Sequence, residues 1–177
     1  MKKIKTNIKD LLIFKNENFV DSRGKLRITY NSKFFEKDFV YEYVTYSKKD
    51  VIRGFHFQYK FQQAKLITVL KGEIIDAVID LRKNSSTFGK TFSLSLTEKN
   101  SLSIYIPEGF AHAYLGIKDI NIIHYKLSNK YYKKYESGIK WNDKDVNFKW
   151  PNKKMKISVK DEGLSDFKSF LSTYKYL

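Results

Sequence analysis

With 177 residues, 42% of them hydrophobic, and no cysteine, the chain can bury a core unaided, and a disulfide framework or thiolate metal site is excluded. Its net charge of +15 raises nucleic acid as a partner, but only Arg23, Arg27, Arg53 and Arg82 supply the planar fork on which such readers lean. The remaining basic residues are scattered lysines, so the reading is no nucleic acid, with a positive field that steers small anions such as nucleotide diphosphates toward a cleft.

The chain starts with a basic stretch, Met1-Lys2-Lys3-Ile4-Lys5. The apolar run that follows, Leu11-Leu12-Ile13-Phe14, is too short for a signal core and is closed by Lys15. No later run approaches a membrane span, so the expectation is no membrane and a cytoplasmic protein. Short segments with period-two alternation or dense β-branched and aromatic content then recur: residues 26–30, 39–46, 52–58, 65–70, 74–81, 91–96, 103–106, 112–117 and 120–127. Turn signals separate them, among them Ser22-Arg23-Gly24, Lys71-Gly72-Glu73, Lys99-Asn100-Ser101 and Pro107-Glu108-Gly109. This pattern predicts an all-β antiparallel jelly roll. After Gly163, Leu164, Phe167, Phe170, Leu171 and Tyr174 recur at helical spacing, which predicts a short C-terminal helix packed on the sandwich. Residues 1–177 read as one domain.

Chemistry concentrates in Val51-Ile52-Arg53-Gly54-Phe55-His56-Phe57-Gln58. A metal-binding site in a jelly roll would want imidazoles two apart on one face, but Gln58 stands where the second would be. His124 adjoins Tyr125, and in a regular strand those two point to opposite faces. The reading is therefore no metal. His56, Lys65, Asp76, Asp80, Arg53, His112, Tyr125 and Asp161 include a histidine base, a phenol acid and cations. Those parts can remove a proton beside a ketone and return it from the opposite face, with the substrate's own carbonyl as electron sink and no cofactor. Strict alternation would put Arg53 and His56 on opposite faces, and a bulge at Gly54 would reconcile them.

Ordered motifs carry a specific resemblance. Phe19-Val20-Asp21-Ser22-Arg23-Gly24, the 51–58 stretch, Gln63-Ala64-Lys65-Leu66-Ile67, Asp80-Leu81-Arg82, Ile106-Pro107-Glu108-Gly109-Phe110-Ala111-His112, Tyr125-Lys126, Gly138-Ile139-Lys140-Trp141-Asn142-Asp143 and Ser158-Val159-Lys160-Asp161 fall in the order seen in dTDP-4-dehydrorhamnose 3,5-epimerases. From about residue 15 to 165 the chain resembles that cupin-like family. The resemblance implies a homodimeric, cofactor-free jelly-roll epimerase. Its substrate would be a nucleotide-linked 4-keto-6-deoxy sugar, inverted at C3, C5 or both, in deoxysugar synthesis for surface polysaccharide. Position by position, it implies that His56 is the base, Asp161 its paired carboxylate and Tyr125 the opposing acid. Lys65 and Arg53 fall near the developing oxyanion, Asp76 and His112 in a second polar cluster, Arg23 against the nucleotide, and Gln58 and Tyr131 along the substrate.

Departures bear on the substrate. The family's polar positions ahead of the histidine strand are Tyr41 and Tyr43 here, its aromatic and glutamate after Arg23-Gly24 are Leu26 and Ile28, and its His-Gly-Phe is His112-Ala113-Tyr114. A dTDP-hexose, a GDP-heptose or inversion at a single carbon would each suit such a rim. A non-catalytic nucleotide-sugar binder is the remaining alternative, for which a broken dyad would be the sign; His56 and Asp161 are both present.

Overall fold

The computed structural model describes residues 1–151, 154–174 and 177. Its strands are β1 (Lys2–Lys5), β2 (Leu12–Lys15), β3 (Asn18–Asp21), β4 (Gly24–Arg27), β5 (Tyr41–Ser47), β6 (Ile52–Gln58), β7 (Lys65–Lys71), β8 (Glu73–Asp80), β9 (Thr91–Thr97), β10 (Leu102–Ile106), β11 (Phe110–Gly116), β12 (Asn121–Leu127) and β13 (Glu136–Gly138). Two helices follow, α1 (Val159–Glu162) and α2 (Phe167–Thr173). A six-stranded sheet in the order β1-β2-β10-β7-β12-β5 faces a five-stranded sheet in the order β13-β6-β11-β8-β9, and β3-β4 forms a separate hairpin. Every ladder between these strands is antiparallel. This is the expected jelly roll.

The core lies in two layers. Ile67 and Val69 of β7, Ile104 and Ile106 of β10, and Ile123 of β12 meet Ile74 and Val78 of β8 and Leu96 of β9 between the sheets. On the far side of the five-stranded sheet, Phe55 and Phe57 of β6, Ala77 and Ile79 of β8, and Ala111 and Ala113 of β11 pack under Ile139 and Phe170, with Phe148, Trp150 and Phe167 beside them. Each Val, Leu, Ile or Phe side chain among them stabilises the fold by roughly 1.5–3 kcal/mol when fully buried. Because the C-terminal segment covers that face, β11 is buried at every position and its alternation is silent in the sequence.

Several boundaries differ from those read in the sequence. The expected strand over 26–30 is the hairpin strand β4, which ends at Arg27. Strand β1 is exposed throughout, so it carries no burial pattern to detect. The C-terminal helix begins at Phe167, capped by Asp166 Oδ1 accepting from the Ser169 N–H at 2.7 Å. Leu164 therefore precedes it and Leu171 is exposed. What the periodicity missed is α1, a single turn capped by Ser158, whose side chain accepts from the Asp161 N–H.

The bulge at Gly54 is present. His56 pairs with His112 while Arg53 pairs with Tyr114, so β6 carries one extra residue over that interval. Gly54 has φ +110, and a Cβ there would lie 2.4 Å from the His112 carbonyl oxygen. Only glycine tolerates both conditions.

Candidate active site

A cavity of about 260 Å³ opens between the two sheets, lined by residues of β5, β6, β7, β11, β12, β13 and α1. From the five-stranded sheet, β6 contributes Arg53, His56 and Gln58 and β11 contributes His112 and Tyr114; from the facing sheet come Tyr43, Lys65 and Tyr125. The bulge is what turns Arg53 and His56 to the same side.

His56 Nε2 lies 2.8 Å from Asp161 Oδ1, and the other carboxylate oxygen accepts from the Gly54 N–H at 3.1 Å. Burial alone would raise the Asp161 carboxyl, but the His56 hydrogen bond and charge, with the Gly54 N–H, hold it below the ordinary value. An ionised Asp161 fixes the tautomer: Nε2 carries the proton and donates, leaving Nδ1 as the basic nitrogen. The chain brings Asp161 there by tying the segment ahead of α1 to β6, with the Ile52 N–H donating to the Lys156 carbonyl at 3.1 Å.

His112 Nε2 is 2.8 Å from Asp76 Oδ2 in a fully buried pair. Burial lowers the His112 pKa, against the opposing pull of Asp76, so this imidazole favours its neutral form. Asp76 keeps its other oxygen buried without a hydrogen bond among the described residues. Near both, Lys65 is lowered to about 8 by burial, with Glu136 and Asp76 opposing. An ammonium so shifted is poised to give or keep a proton near neutrality. Tyr125 is buried, and burial, then Tyr114 and Tyr43, raise its pKa well above a phenol's ordinary value; it enters any reaction as a neutral acid. Arg53 donates from Nε to Ser47 Oγ at 3.2 Å, while its terminal nitrogens have no protein hydrogen bond among the described residues. Ser47 Oγ is in turn 2.8 Å from the Tyr114 hydroxyl, so the departure from phenylalanine at 114 extends the support of Arg53.

The remaining expected residues are placed less simply. Gln58 lines the cavity, yet its amide donates to the Phe61 carbonyl at 2.8 Å and its oxygen accepts from the Tyr132 N–H at 2.6 Å. It braces two loops. Tyr131 donates to Glu136 Oε2 at 2.7 Å, and its phenol is pushed up to about 12 by burial and that bond. Arg23 lies on the β3-β4 turn outside the cavity, exposed and paired with Asp21 at 2.6 Å. Asp80 stands apart, engaged by Arg82, Ser85 and Thr87. Two charged lining residues are not among those singled out in the sequence: Glu136, and Lys160, which pairs with it. Their signal was proximity to singled-out neighbours, since Lys160 precedes Asp161 and Glu136 precedes Gly138.

Among the described residues no group of three or more His, Cys, Asp or Glu could hold a metal ion; His56 and His112 each face one carboxylate, and His124 points away to Glu42 at 3.3 Å.

Fold and site together define a class: a cupin-like jelly roll with an acid-base cavity between its sheets. The comparisons narrow that class. The family model for dTDP-4-dehydrorhamnose 3,5-epimerase matches residues 5–169. The enzyme of that name from Shigella flexneri is 40% identical over 168 residues, covering 91% of this chain and 93% of that one. Its namesake from Methanothermobacter thermautotrophicus is 39% identical over 153 residues, covering 84% and 83%. Among solved structures, the dTDP-4-dehydrorhamnose 3,5-epimerase of Elizabethkingia anophelis NUHP1 superposes with a TM-score of 0.90 at 38% identity, over 96% of this chain and 97% of that one. The dTDP-6-deoxy-D-glucose-3,5-epimerase of Legionella pneumophila, solved with dTDP-4-keto-L-rhamnose, gives 0.91 at 29% identity, over 94% and 93%. The chain belongs to the dTDP-4-dehydrorhamnose 3,5-epimerase family. It is an isomerase of the epimerase type, acting on carbohydrates.

Proposed function

We propose that this chain, as one domain, epimerises a dTDP-linked 4-keto-6-deoxyhexose at the two carbons flanking the ketone. The observation that carries this reading is a carboxylate-oriented base, His56, and a neutral phenol, Tyr125, lining one cavity with Lys65. His56 Nδ1 takes the proton bound to the carbon beside the ketone, and the electron pair moves into the carbonyl to form an enolate. Asp161 stabilises the resulting imidazolium, a charged hydrogen bond worth about 1.5–3 kcal/mol. Lys65 faces the enolate oxygen, and Tyr125 returns a proton from the opposite side, which inverts the centre. The substrate's ketone serves as the electron sink, so these steps call on no cofactor. The names of the matched relatives support dTDP as the nucleotide, and the terminal nitrogens of Arg53, which make no hydrogen bond among the described residues, suit its diphosphate. Product for surface polysaccharide and a cytoplasmic setting complete the reading.

A homodimer belongs to the same proposal. Strand β5 ends its sheet with Tyr46 and Val44 exposed, and the hairpin exposes Phe19, Val20 and Leu26; such an apolar edge is the kind a second copy covers. A dimer would also give Arg23 a cavity to serve, across the interface.

A single-centre epimerase is the second reading, favoured by Tyr43 at the cavity wall. The test is turnover of dTDP-4-keto-6-deoxyglucose followed by NMR. Inversion at both carbons supports the first reading, inversion at one supports the second, and no inversion removes both.

A further inference from the structure

Tyr125 is moored in a way that its proposed role makes consequential. No hydrogen bond among the described residues holds its hydroxyl, so its ring is fixed by what lies against it. His112 meets it edge-on, with centroids 6.0 Å apart at 67°, and is itself locked by Asp76 at 2.8 Å. Tyr43 stacks on it at 4.9 Å and 19°. Tyr43 stands directly opposite Tyr125 in the β5-β12 ladder and is backed by Tyr41 at 6.0 Å and 62°. Cross-strand aromatic pairs of this kind add stabilisation beyond the area they bury. A terminal aromatic torsion is intrinsically broad, and proton delivery to carbon tolerates little misalignment.

Resting on the reading of Tyr125 as the acid, we infer that Tyr43 is a positioning residue for proton return: its stacked ring sets the plane of Tyr125 and thereby which carbon beside the ketone the hydroxyl reaches. A short polar side chain at this position, of the kind the resembled family carries ahead of the histidine strand, would leave that face of the phenol uncovered.

The test uses Tyr43→Phe, Tyr43→Leu and Tyr43→Asn in the full chain, with dTDP-4-keto-6-deoxyglucose in D2O. Deuterium entry at each flanking carbon and inversion at each are read separately, after matched thermal unfolding. Tyr43→Phe keeps the stack and is expected within about two-fold of wild type on both readouts. Tyr43→Asn and Tyr43→Leu are expected to keep deuterium entry within about three-fold, while inversion per exchange drops about ten-fold and the ratio between the two centres changes. Should Asn fail to fold, Leu against Phe decides. Unchanged inversion per exchange and unchanged ratio in Tyr43→Leu would overturn the inference and leave the epimerase reading standing. Loss of inversion in Tyr43→Phe would overturn it too, by making the Tyr43 hydroxyl the donor. A wild-type protein that exchanges neither carbon would instead remove the epimerase reading and this inference with it.

Discussion

His56 and Asp161 are 105 positions apart in the chain and 2.8 Å apart in space, and the proposed chemistry depends on that contact. Replacing His56 with Asn should lower turnover more than about a thousand-fold while dTDP affinity, measured by calorimetry, stays near wild type. Asp161→Asn should keep the fold but hold the imidazole in the wrong tautomer, with a loss approaching the about 10⁴-fold seen when a triad carboxylate is so altered. Lys65 makes a pH-dependent prediction with two signs. With its folded pKa lowered to about 8 from an ordinary value of 10.5, it loses its proton first in the folded state. Activity should therefore fall as pH rises through about 8. Its contribution to stability should rise over the same interval and up to the unfolded value, because there the unfolded chain binds more protons. Lys65→Met should flatten the alkaline limb of the pH-rate profile; an unchanged limb would point to another group.

At the scale of elements, the β6 bulge and the single turn α1 carry the site. Gly54→Ala meets a backbone oxygen at 2.4 Å with φ +110, so we expect a loss of about 2–3 kcal/mol in urea unfolding, with Arg53 displaced from the cavity. The bulge was legible in advance because Arg53 and His56, three residues apart, both pointed to the same chemistry across a glycine. The turn was not. Four residues carry no periodicity, and the role of Asp161 was available only through the resemblance. Likewise β8 and β11 are covered on both faces, so the sequence offered apolar density without saying which side held His112 and Asp76. Gln58 was legible as a cavity residue, while its bracing of residues 61 and 132 depends on loops whose path no local pattern dictates. Glu136 and Lys160 were overlooked because an acid and a base in a lysine-rich chain read as ordinary surface.

Across the whole molecule, the two sheets enclose a cavity rich in cations within a chain of net charge +15. Binding of a dianionic nucleotide sugar should accordingly weaken with salt, with kcat/KM falling several-fold between roughly 0.05 and 0.5 M ionic strength and kcat changing less. The exposed apolar edge of β5 predicts a dimer by sedimentation equilibrium, and Tyr46→Glu should shift it toward monomer. The most direct test of the central claim, that His56 withdraws the protons beside the ketone, is deuterium incorporation from D2O into dTDP-4-keto-6-deoxyglucose by wild type and His56→Asn in parallel. Wild type should place a deuteron on each flanking carbon and the variant none, whereas deuterium entering at the wild-type rate in His56→Asn would contradict the assignment of the base.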